Sequence, residues 1–96
     1  MSKKLKVGIN GFGRIGRILF RHAFDQLDVV GINSGSGTLE SQAHFLKYDS
    51  AHGPFQKRVE AGSSSLVVDN KNIPFSFEKD PSLIPWADWG ADIVFE

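Results

Sequence analysis

Lys6-Val7-Gly8-Ile9-Asn10-Gly11-Phe12-Gly13-Arg14-Ile15-Gly16-Arg17 reads as a buried strand, a glycine-rich turn and the opening of a helix. Leu5, Val7 and Ile9 alternate with Lys6 and Gly8, which places a strand over 4–10. From Arg14 to about Phe24, the residues Ile15, Ile18, Leu19, Ala23 and Phe24 recur at spacings that suit one face of a helix. Asp25 and Gln26 end it, and residues 27–32 contain a second buried strand. A strand, a helix and a strand within about thirty residues should pair in parallel through a right-handed crossover.

Gly11, Gly13 and Gly16 fall at G-x-G-x-x-G spacing between the first strand and the helix. In that context each glycine has a physical reason. Gly11 permits the tight turn out of the strand. Gly13 lets a pyrophosphate approach the backbone, and Gly16 lets the helix pack close to the sheet. The N–H groups near Arg14 and Ile15 then point at phosphate oxygens, aided by the helix dipole. The motif therefore points to a dinucleotide cofactor, the alternative being a purely structural glycine turn.

Working outward, residues 33–37 form a polar turn, Thr38 is a helix N-cap, and residues 39–48 form a short helix with Leu39, Ala43 and Leu46 inward. Gly53-Pro54 breaks the chain. Short strands are expected at 57–61, 65–69 and 73–77, joined by turns at Gly62-Ser63-Ser64 and Asn70-Lys71-Asn72. Pro81 and Pro85 punctuate a loop or helical turn, and residues 91–95 begin another apolar strand. The expected fold is α/β: an incomplete, Rossmann-type doubly wound parallel sheet with a short antiparallel insertion near 57–77. A buried parallel strand normally runs on into a loop and helix. These 96 residues are thus expected to be a fragment of a longer protein.

Composition excludes several classes. The 96 residues hold no cysteine, so they carry no disulfide, thiolate nucleophile or cysteine-ligated metal. No apolar run approaches the ~20 residues that cross a bilayer. No secretion signal opens the chain, which makes the cytoplasm the expected compartment. Net charge is zero and no recognition motif appears, which argues against specific nucleic-acid binding. Lys3, Lys4, Lys6, Arg14, Arg17 and Arg21 all precede the first acid, Asp25. That basic third either attracts phosphates or is a solvated helix face. His22, His44 and His52 share no ligand spacing, so no metal site is expected. Trp86 and Trp89 read as packing residues.

The end of the second strand selects the cofactor. A carboxylate there would bond both ribose hydroxyls and favour NAD. This chain has Asn33-Ser34, and no acid between Asp28 and Glu40. Without that repulsion, Ser34, Ser36 and the loop N–H groups could bind a 2′-phosphate, which leans toward NADP or dual use. The alternative is that Ser34 bonds the ribose of NAD; no nearby arginine decides between them.

Together these segments resemble the glyceraldehyde-3-phosphate dehydrogenase family. The opening 6–17 is similar to its N-terminal signature, and Leu46-Lys47-Tyr48-Asp49-Ser50-Ala51-His52-Gly53-Pro54-Phe55 carries its more specific Lys-Tyr-Asp-Ser-x-His-Gly core. Glu78-Lys79-Asp80-Pro81, Ile84-Pro85-Trp86 and Trp89-Gly90-Ala91-Asp92 follow in the family's order. The resemblance implies oxidation of glyceraldehyde 3-phosphate with phosphate and NAD(P) to 1,3-bisphosphoglycerate. It makes residues 1–96 the N-terminal part of the NAD(P)-binding domain, with the catalytic domain outside them; a downstream cysteine thiolate and histidine would do the chemistry, in a cytoplasmic homotetramer. It implies cofactor contacts from Asn10, Gly11, Gly13, Arg14, Ile15, Gly16, Asn33, Ser34 and Lys79, the last through its backbone near the adenine. The family usually has Asp where Ser34 stands, which questions strict NAD preference. An erythrose-4-phosphate dehydrogenase shares these motifs, and a non-catalytic dinucleotide-binding module is the reading from another class.

Overall fold

The computed structural model describes residues 4–48 and 55–95. Its elements run β1 (Lys6–Asn10), α1 (Arg14–Gln26), β2 (Asp28–Asn33), α2 (Leu39–Tyr48), β3 (Val59–Ala61), β4 (Ser65–Val68), β5 (Lys71–Ser76), α3 (Trp86–Trp89) and β6 (Ile93–Phe95). A single 3-10 turn at Pro81–Leu83 precedes α3. Asp80 caps that turn; the Ser82 backbone N–H, then the Ser82 hydroxyl, hold its carboxyl below the usual carboxylate range.

Six strands form one sheet in the order β3-β4-β5-β2-β1-β6. β1 pairs in parallel with β2 on one side and β6 on the other, and β2 pairs in parallel with β5. β3, β4 and β5 are antiparallel to one another. The expected antiparallel insertion is therefore a continuous extension of the parallel sheet, with β5 belonging to both. Pro74 explains how β5 manages this. Proline cannot donate to a ladder, and pairing with β2 begins only at Phe75, opposite Ile32.

Two local expectations are corrected. The turn between β4 and β5 is Asp69-Asn70, not 70–72. Both residues have positive φ (48° and 70°), a two-residue hairpin loop of the type that asparagine and aspartate tolerate. The buried face of α1 also differs in part from the expected one. Ala23 is buried and Leu19 and Phe24 pack against the core as expected, but Phe20 is at its centre and Ile15 is 80% exposed. Gly16, which comes closest to the sheet, sets this face, and Phe20 lies one turn beyond it.

Phe12, Phe20, Ile9, Ile32, Leu66 and Ile73 anchor the core. Phe12 meets Phe20 and Phe75 edge-to-face, at ring separations of 5.9 and 5.6 Å. Of the basic residues of α1, Arg14 is exposed, but Arg17 and Arg21 are neither a phosphate patch nor a solvated face. Arg17 donates to the Phe12 carbonyl and lies over the Phe45 ring. Arg21 donates to the Leu46 carbonyl and lies over Phe55, and desolvation lowers its pKa. Both tie α1 to the segment around α2. Thr38 caps α2 as expected, its Oγ1 accepting from the Ser41 N–H while Ser41 Oγ accepts from the Thr38 N–H.

The tryptophans pack as expected, each against a glycine of the sheet. A Cβ on Gly8 would lie 2.5 Å from Trp86, and one on Gly31 would lie 2.0 Å from Trp89. Gly31→Ala should push Trp89 off β2 and cost about 1–3 kcal/mol. Denaturant unfolding with tryptophan fluorescence checks both the loss and its cause.

No helix among the described residues is long and apolar enough to cross a membrane. None of their His, Asp and Glu side chains group in threes to hold a metal. His22 and His44 are exposed. His52 and the Gly53-Pro54 break lie outside the described residues.

Candidate dinucleotide site

The strand order reverses at β1, whose neighbours β2 and β6 lie on opposite sides. In an open α/β sheet, ligands bind outside the carboxyl ends of the strands at such a point. A cavity of 440 Å³ opens there, lined by Asn10, Gly11, Gly13, Arg14, Ile15 and Gly16 together with Leu19, Ile9 and Phe95. Six of the nine expected site residues thus converge on one cavity. Phe95, from the far end of the chain, was not foreseen; its approach depends on β6 pairing with β1.

The turn is built as the glycine spacing requires. Gly11 sits at φ +98°, a conformation closed to most side chains. Its N–H donates to the Asn33 carbonyl at 2.7 Å, which ties the turn to β2. A Cβ at Gly16 would lie 2.2 Å from the Gly11 carbonyl oxygen, so the helix reaches this distance only with glycine. A Cβ at Gly13 would meet nothing within 4 Å among the described residues. The described residues leave the space over Gly13 open, so their packing does not require glycine there.

Gly13 is the N-cap of α1 and provides no side-chain cap, and the first turn carries no acid. The first intrahelical bond runs from the Arg17 N–H to the Gly13 carbonyl, 2.9 Å. The N–H groups of Arg14, Ile15 and Gly16 precede it and have no partner within the helix. Three outward donors, a dipole of matching sign and an uncovered backbone suit a pyrophosphate. The residues present fit the group that the motif implies.

The model of the glyceraldehyde 3-phosphate dehydrogenase NAD-binding domain matches residues 5–96. The chain belongs to this family. It is 48% identical over 93 residues to glyceraldehyde-3-phosphate dehydrogenase of Monascus purpureus. It is 48% identical over 95 residues to glyceraldehyde-3-phosphate dehydrogenase 2 of Bacillus subtilis, and 49% over 94 residues to glyceraldehyde-3-phosphate dehydrogenase of Yarrowia lipolytica. These matches cover 95%, 97% and 96% of this chain. The chain spans 28% of the length of each relative.

The remaining expected site residues of this NAD-binding domain, Asn33, Ser34 and Lys79, do not line that cavity. Asn33 is 2% exposed. Its Nδ2 donates to Asn10 Oδ1 (3.1 Å) and to the Glu78 carbonyl (3.0 Å). Its Oδ1 accepts from Ser76 Oγ (2.6 Å) and from the Glu78 N–H (2.9 Å). An amide side chain has two donors and two lone-pair sites, and all are committed. Asn33 thus holds Asn10 in place, and Asn10 lines the cavity.

Ser34 is 7% exposed, and its hydroxyl donates inward to the Ser36 carbonyl at 2.9 Å. That single proton is used, so the Ser34 side chain offers a ligand lone pairs and no donor. Ser36 and the glycines on either side of it are exposed. Lys79 is also exposed and follows Glu78, whose backbone is gripped by Asn33 at both its N–H and its carbonyl. In the sequence Glu78 stands only as part of the Glu78-Lys79-Asp80-Pro81 motif, and Gln42, the residue beneath the 34–37 loop, carries no signal.

Proposed function

We propose that this chain is the cofactor-gripping N-terminal part of a glyceraldehyde-3-phosphate dehydrogenase. That enzyme oxidises glyceraldehyde 3-phosphate, with inorganic phosphate and NAD(P), to 1,3-bisphosphoglycerate. The observation that carries the reading is the uncapped α1 N-terminus over an open glycine turn at the sheet's reversal point, in a chain of this family.

The chain's own residues bind and orient. The N–H groups of Arg14, Ile15 and Gly16 hold the pyrophosphate, and exposed Ile15 and Arg14 flank it. Asn10, fixed by Asn33, borders the path toward the nicotinamide. The 34–37 loop meets the adenosine ribose, and the Lys79 backbone lies toward the adenine. When bound, the nicotinamide accepts a hydride. The nucleophile and base come from outside these 96 residues, which contain no cysteine. The complete protein, 1–96 being the N-terminal part of its cofactor domain, works in the cytoplasm as a homotetramer.

Complete protein should reduce NAD(P) with glyceraldehyde 3-phosphate and phosphate, whereas the chain alone should bind cofactor weakly and turn over nothing. Aldehyde-dependent reduction by the chain alone would refute this division. Faster turnover of erythrose 4-phosphate would move the reading to that dehydrogenase.

On the same footing the loop accepts both NAD and NADP. What supports dual use is the lack of a carboxylate from Ser34 through Thr38 and the exposed Ser36. Ser34→Asp is expected to weaken NADP binding by about 1–3 kcal/mol through repulsion of the 2′-phosphate. NAD binding should be retained. Titration of both cofactors against wild type and mutant checks this, and unchanged NADP affinity would remove position 34 from the ribose site.

A further inference from the structure

We infer that Gln42 governs whether the site accepts a 2′-phosphate, by turning the Ser36–Gly37 peptide so that the Gly37 N–H faces the ribose. The inference rests on the cofactor reading above. Gln42 lies on the buried face of α2 and is 7% exposed. Its Nε2 donates to the Ser36 carbonyl at 3.2 Å. The same carbonyl accepts from Ser34 Oγ at 2.9 Å. Two buried donors thus draw the Ser36 carbonyl inward. The peptide bond is trans, and a trans peptide carries its C=O and N–H in opposite directions. The Gly37 N–H therefore points away from Gln42, on an exposed residue, and donates to no acceptor among the described residues.

Gly37 is shaped around this bond. It sits at φ +98°, and a Cβ there would lie 2.5 Å from Gln42 Nε2. The other half of the Gln42 amide gains nothing from the fold. Its Oε1 is buried with no partner among the described residues. A leucine or methionine at 42 would fill the space without an orphaned oxygen. What glutamine adds to the protein is the bond to the Ser36 carbonyl, and hence the direction of the Gly37 N–H. A backbone N–H aimed at a phosphate oxygen makes a charge-assisted bond, stronger than the one it makes to a ribose hydroxyl. Gln42 is accordingly a positioning residue whose effect falls on NADP more than on NAD.

The test is the dissociation constants of NAD and NADP, by fluorescence titration of the complete protein, for wild type, Gln42→Met and Gln42→Leu. Both substitutions remove the amide donor without adding charge, and either one that folds suffices. Unfolding curves confirm the folded state. NADP binding should weaken about tenfold while NAD changes by less than about threefold. Equal weakening of both cofactors, which a merely structural role would give, overturns the inference, as does an unchanged ratio. Wild type that binds NAD but not NADP overturns this inference alone. Wild type that binds neither overturns the cofactor reading and this inference with it.

Discussion

Gly16→Ala is expected to abolish useful cofactor binding and to destabilise the fold, whereas Gly13→Ala should do only the first. A Cβ at residue 16 would sit 2.2 Å from the Gly11 carbonyl oxygen and 3.2 Å from the Gly11 carbonyl carbon. Neither side can yield cheaply. Gly11 is pinned to β2 through its N–H bond to the Asn33 carbonyl and is already at positive φ. On the other side, α1 is held by Phe20 in the core and by Arg17 donating back to the Phe12 carbonyl. The helix must move away from the sheet, at a cost of about 3 kcal/mol, the upper end of ordinary overpacking. The displaced Arg14–Gly16 N–H groups then miss the pyrophosphate, and a 100-fold rise in Kd corresponds to about 2.7 kcal/mol. Gly13 separates the two effects. It has a negative φ of -80° and open space around its missing Cβ, so alanine fits the free protein. Gly13→Ala should leave the denaturant midpoint unchanged and still raise the Kd for NAD by tenfold or more. A Gly13→Ala protein that binds NAD normally would place the pyrophosphate elsewhere.

This difference between two glycines of one motif marks what was legible in the sequence. The strand-turn-helix-strand unit and its glycines are local features, and β1, α1, β2 and α2 lie close to where periodicity and capping put them. On α1, periodicity places Leu19, Ala23 and Phe24 on the core but does not separate Phe20, which is buried, from Ile15, which is exposed. The close approach at Gly16 decides which side faces the sheet, and it leaves Ile15 at the mouth of the cavity. The hairpin at Asp69-Asn70 was displaced because no glycine marks it; its two positive-φ residues are both of the polar type that accepts such a backbone. Phe95 and Gln42 were invisible for another reason. Phe95 enters the cavity through a pairing of β6 with β1, and Gln42 is polar on a helix face that periodicity reserves for apolar residues. Neither placement has a local signal. Asn33 was named as a cofactor contact, but its fourfold bonding to residues on three other segments could be read only from the folded chain.

Asn33→Ala is expected to cost about 3 kcal/mol or more of stability. Removing this side chain strands four groups together: the Asn10 Oδ1, the Ser76 hydroxyl, and both the N–H and the carbonyl of Glu78. A buried polar group left without its partner costs about 1–3 kcal/mol, less where water can enter. Asn10 and Glu78 are half-buried, so water can reach part of the vacancy, and the four losses will not sum. Asn33→Asp distinguishes hydrogen bonding from volume. It keeps both acceptor bonds, from Ser76 and the Glu78 N–H, and loses both donors. An ionised carboxylate there would face the Asn10 oxygen and the Glu78 carbonyl, two acceptors, in a buried site. Protonation relieves this, so the folded-state pKa of the introduced acid should be raised above its unfolded value near 3.9. With the folded state binding the extra proton, Asn33→Asp should lose stability relative to wild type as pH rises from about 4 through the raised value, then level off. Denaturant unfolding from pH 4 to 8 gives the slope. A difference from wild type that does not vary with pH would mean that the aspartate is hydrated, and that the bonds joining β1, β2 and the segment after β5 are not closed to water.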